Sequence, residues 1–108
     1  ARACSGDTRA VVAMLADKPV AEVTGILSDQ VDRWYTAGLA SVARGLEAGD
    51  MAAAVERTAS DVKLSAASTV ATACEQARAA AEKNDRIIIF GSFYTVAEAM
   101  QYFASRAR

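Results

Sequence analysis

Apolar residues along the chain fall into two rhythms. Short runs are apolar at nearly every position, and longer stretches repeat an apolar residue every three or four. Arg9 to Leu15 (RAVVAML) is a β-branched apolar run that predicts a buried strand. Asp17-Lys18-Pro19 follows it. Proline suits the first turn of a helix and Asp17 suits its cap. Val20, Val23 and Ile26/Leu27 then recur at helical spacing to about Ser28. Val31 to Ala37 (VDRWYTA) predicts a second strand, with Trp34 and Tyr35 in its core or at its edge.

Gly38 to Gly49 reads as loop. Asp50 then stands as a cap before a helix whose face carries Met51, Val55 and Thr58. Asp61 to Ser65 fits either a short strand or a connection. Ala66 to Lys83 predicts the clearest helix, with small or apolar residues at 66, 70, 73, 74, 77 and 80. Cys74 lies on that face as a small core residue. After a turn at Asn84-Asp85, Ile87 to Phe90 is apolar throughout, the mark of a strand covered on both faces. Gly91-Ser92 ends it. Thr95 and Glu98 have capping-box spacing, and Val96, Met100 and Phe103 predict the inner stripe of a last helix. Strands alternating with helices imply an α/β fold: a mostly parallel, Rossmann-like sheet flanked by helices. No internal repeat or linker divides the chain, so residues 1–108 read as one domain.

Composition tempers this picture. Hydrophobic residues make up 53% of the 108, but alanine alone supplies 26. Val, Ile, Leu and Phe together supply 22, about a fifth, enough for one modest core. Charge is nearly balanced at −1, with no basic stripe to hold nucleic acid. No run of 18 apolar residues offers a membrane span. The opening ARACSGDTRA carries charges where a signal peptide needs apolar residues, so the cytoplasm is the default location. Two cysteines, Cys4 and Cys74, are too few for a disulfide framework. Histidine is absent, which removes Ser-His-Asp and Cys-His nucleophiles and histidine metal sites. There is no GxxxxGK[ST] loop and no GxGxxG.

Ligands of open α/β sheets bind outside the carboxyl ends of the strands. Two segments occupy such ends: Ala16-Asp17-Lys18, and Gly91-Ser92-Phe93-Tyr94-Thr95. The glycine permits a tight turn, and the hydroxyls and first N–H groups of the next helix converge on one spot suited to a carboxylate or phosphate. The plainer alternative is that Ser92 or Thr95 only caps the helix. Lys18 can meet an anionic substrate while Asp17 meets its amine. The plainer alternative there is a cap and a solvated lysine. A helix amino terminus contributes about 0.3–1 kcal/mol to an anion, whereas millimolar affinity needs about 4 kcal/mol. These parts alone would bind weakly.

FGSFYTVAEAM (Phe90–Met100), preceded by DRIII (Asp85–Ile89), resembles the carboxyl-terminal signature of the bifunctional folylpolyglutamate synthase/dihydrofolate synthase family. RAVVAMLADK (Arg9–Lys18), VDRWY (Val31–Tyr35) and RGL (Arg44–Leu46) agree in order and spacing, so the resemblance covers nearly the whole chain. Two positions depart from the pattern: Pro19, where the family often has a second aspartate, and Ala13, where it often has glycine.

The resemblance implies the carboxyl-terminal domain of the Mur-type ligases, here without its first strand and helix. It implies that ATP, with Mg2+, phosphorylates a carboxylate of a pteroate or folate substrate. The amine of L-glutamate then attacks the acyl phosphate. The phosphate-binding loop and pteroate pocket would belong to an upstream amino-terminal ATPase domain, so the 108 residues alone would be inactive. By the resemblance Lys18 meets one glutamate carboxylate, Ser92 and the amides from Phe93 onward meet another, and Asp17 orients Lys18 or an interdomain contact. Without the first strand the sheet would keep an apolar edge that tends to associate. Two other readings stand beside this one: a stand-alone, non-catalytic α/β module for a small anionic ligand, and a Mur-type ligase for another amino acid.

Overall fold

The structure is a computed structural model, and it describes residues 6–15, 19–39, 45–58 and 63–106. Four strands alternate with four helices. They are β1 (Thr8–Ala13), α1 (Val20–Leu27), β2 (Arg33–Ala37), α2 (Ala48–Thr58), β3 (Lys63–Ala67), α3 (Val70–Ala80), β4 (Arg86–Gly91) and α4 (Phe93–Arg106). A 3-10 turn at Ser28–Gln30 follows α1. The strands form one sheet in the order β3-β2-β1-β4, and every pairing is parallel. The α/β reading of the sequence therefore holds.

Side chains on successive strand residues alternate between faces, and two cores result. Ala10, Val12 and Met14 pack with Val31, Trp34, Met51 and Val55 beneath α1 and α2. Val11 and Ala13 pack with Tyr35, Ala37, Val70, Ala73, Cys74 and Ala77 beneath α3 and α4. The neighbours Trp34 and Tyr35 thus serve opposite faces. The small residues of α3 let that helix lie close to β1 and β2, which offsets the shortage of large aliphatic residues.

Several boundaries and phases differ from the sequence reading. β4 packs on both faces, Ile87 and Ile89 against one core and Ile88 and Phe90 against the other, but not as an inner strand. It is an edge strand bonded to β1, and its residues 86–90 are only half-buried. The strand buried throughout is β1, whose six residues are all buried. Among the described residues no strand pairs with the outer edge of β4. Helix α3 starts at Val70, because Ala66 and Ala67 extend β3 and Thr69 is the cap, its hydroxyl accepting the Thr72 N–H at 3.2 Å. That helix ends at Ala80. Helix α2 starts at Ala48, which puts Asp50 inside its first turn, where its charge favours the helix dipole without capping. Met51 and Val55 are buried as expected.

Pro19 stands at the cap position of α1 with no side-chain bond, and Asp17, proposed as that cap, lies outside the described residues. Helix α4 is turned by one position from the expected stripe. Its buried face is Thr95, Ala99 and Tyr102, while Val96 and Met100 are 39% and 67% exposed. Phe103 packs at the margin of the core.

At the amino ends of the strands a polar cluster ties distant segments together. Arg9 and Asp85 form an ion pair at 3.0 Å, each side chain 7% exposed. A second nitrogen of Arg9 donates to the Tyr35 hydroxyl at 2.7 Å. The Asp85 carboxylate also accepts the N–H groups of Asp7 (2.8 Å) and Glu82 (3.0 Å). Arg86 donates to the Thr8 hydroxyl at 2.8 Å. β1, β2 and β4 are therefore registered at one end by hydrogen bonds and left free to shape a site at the other.

Candidate functional site

Chain direction decides where a ligand can enter. From β1 the chain steps to β2 and then β3 on one side of the sheet, and it returns to place β4 on the other side of β1. The strand order reverses between β1 and β4, and a crevice opens outside the carboxyl ends of two such strands. Ala13, the last residue of β1, pairs with Gly91, the last of β4. The carboxyl ends of β1 and β4 are therefore adjacent, and of the two segments singled out in the sequence, 91–95 starts at this point. Asp17 and Lys18 themselves lie outside the described residues, as do Cys4 and Arg44 of the RGL turn.

Gly91 has φ +135°. A Cβ there would stand 2.0 Å from the Ala13 carbonyl oxygen, so no side chain fits at this ladder position. Its backbone carries the chain directly into the cap of α4. Ser92 is that cap: its Oγ accepts the Thr95 N–H at 3.2 Å. Thr95 returns the bond, accepting the Ser92 N–H at 3.3 Å. The two hydroxyls lie 3.0 Å apart, and Thr95 donates to the Ala13 carbonyl at 2.6 Å. Phe93 begins the helix; as its first residue, its N–H has no intrahelical acceptor.

Thr95 and Glu98 do not form a capping box with each other. Glu98 reaches across to α3 and accepts the Ala71 N–H at 3.0 Å, so one helix's carboxylate satisfies another helix's amino terminus. Sequence spacing found the right residue types and the wrong partners, because the true partner of Glu98 is 27 positions away.

Beside the crevice, on the α1 face, a recess of about 380 Å³ is lined by Met14, Pro19, Val23, Leu27, Phe90 and Gly91. Among the described residues no charged side chain lines it. A larger hollow of about 620 Å³ runs along α4 between Ala71, Tyr94, Glu98, Gln101, Tyr102 and Ser105. It belongs to the outer α3–α4 surface and not to the strand ends.

Cys74 is fully buried. Burial first, and then the charge of Glu98, pushes its thiol up to about 11, so it is a packing residue and not a nucleophile. Among the described residues no three acidic, cysteine or histidine side chains converge to hold a metal ion. Among the same residues no helix is long and apolar enough to cross a membrane.

What this arrangement offers is a place to hold a small polar molecule. The dihydrofolate synthase/folylpolyglutamate synthase of Escherichia coli K12 is 33% identical over 102 residues, 94% of this chain and 22% of that protein. Escherichia coli FolC solved in complex with DHPP and ADP superposes with a TM-score of 0.84 at 32% identity, over 96% of this chain and 23% of that one. A bifunctional folylpolyglutamate synthase/dihydrofolate synthase solved with Mn, AMPPNP and L-glutamate bound gives 0.74 at 37% identity, over 92% and 23%. The chain thus spans less than a quarter of the length of these relatives. The family model described as Mur ligase, glutamate ligase domain matches residues 1–93, and the chain belongs to that family.

Proposed function

We propose that this chain is the carboxyl-terminal, glutamate-binding domain of an ATP-dependent ligase that joins L-glutamate to dihydropteroate or folate. The observation that carries the reading is the likeness, in sequence and in fold, to relatives that are folate-glutamate ligases. The adjacency of the carboxyl ends of β1 and β4 at the strand-order reversal supports it independently. In this reading ATP, with Mg2+, activates a substrate carboxylate as an acyl phosphate. The amine of glutamate displaces phosphate and forms the amide.

The chain's own share is to hold the amino acid. Lys18 binds a glutamate carboxylate, Asp17 orients Lys18, and Ser92 with the Phe93 N–H contacts the same molecule from the end of β4. ATP and magnesium are held mainly by an upstream domain, and closure of the two domains excludes water from the acyl phosphate. The 108 residues alone are then inactive. The open edge of β4 receives the strand that precedes this segment, and the whole enzyme works in the cytoplasm.

Steady-state kinetics of the full-length enzyme test the site. Lys18→Ala and Ser92→Ala should each raise the glutamate KM about tenfold or more, as loss of a hydrogen bond to a charged group does. The KM for ATP should stay within twofold. An unchanged glutamate KM in both variants would remove these residues from the glutamate site.

A further inference from the structure

We draw no further inference here: the strongest candidate, the apolar recess of about 380 Å³ between α1 and the end of β4 that Met14, Pro19, Val23, Leu27 and Phe90 line, carries nothing because nothing in the structure shows what covers it.

Discussion

Gly91→Ala should be severely damaging for a change of one methyl group. The substitution asks an L-residue to adopt φ +135°, which costs about 1–3 kcal/mol in strain. It also places a Cβ 2.0 Å from the Ala13 carbonyl oxygen. That oxygen cannot swing away, because it is main chain in the central strand and accepts the Thr95 hydroxyl. Backbone must move, and overpacking of this kind costs a further 1–3 kcal/mol or so. We expect a total loss of roughly 3–5 kcal/mol, read by urea or thermal unfolding of the full-length protein. Glutamate kinetics should suffer beyond the loss of folded protein, since Ser92 is the next residue. A variant with wild-type stability would contradict the close β1–β4 approach on which the site geometry depends.

Arg9→Ala should be nearly as harmful, at the opposite end of the sheet and by another mechanism. The guanidinium joins Asp85, just before β4, to Tyr35 on β2. Removing one partner of a largely buried pair leaves the other charge without its counter-ion. We expect the melting temperature to fall by about 10 °C or more, with the glutamate KM of the remaining folded enzyme unchanged.

Acid should attack the same cluster. The Glu82 N–H first, and then the Asp7 N–H, hold the Asp85 carboxyl below its ordinary value, against the partial burial that would raise it, and Arg9 adds to the lowering. A group depressed in the folded state contributes stability that is fully present above its unfolded value, near pH 4, and is lost as pH falls through the folded value. Wild-type stability should therefore drop below about pH 4. Asp85→Asn should be less stable at neutral pH and should show a shallower acid limb. Parallel acid limbs for the two proteins would show that Asp85 is not the group responsible.

How far the sequence could be read depended on the range of each interaction. β1, β2 and α3 were legible because their signals are local: a β-branched run, paired aromatics, and small residues at helical spacing. The IIIF run of β4 was legible as a strand but not as an edge, since apolar periodicity carries no information on strand order. Alanine blurred the start of α3, because Ala66 and Ala67 suit a strand or a helix alike. The Thr69 cap was the overlooked signal. In α4 the apolar count favoured Val96 and Met100, whereas small and polar Thr95 and Ala99 face inward. What placed them inward is the carbonyl of Ala13, 82 residues away.

The site divided in the same way. Gly91 and Ser92 stood out as a strand-end turn and helix cap, and the structure puts that turn beside the end of β1. The Thr95–Ala13 hydrogen bond beside that cap could not be read, because its partner lies on another strand. The Arg9–Asp85 pair was invisible for the same reason, its members standing 76 positions apart. Lys18 and Asp17 rest on the family likeness.

The measurement that bears most directly on the whole account is a ligation assay on the purified full-length protein. It would be given ATP, Mg2+, L-glutamate and dihydropteroate, with the products read by mass spectrometry. The account predicts a product heavier by one glutamate residue, ADP released in equal amount, and neither formed when glutamate is withheld. Binding of a small anion with no glutamate-dependent ADP release and no amide product would contradict it.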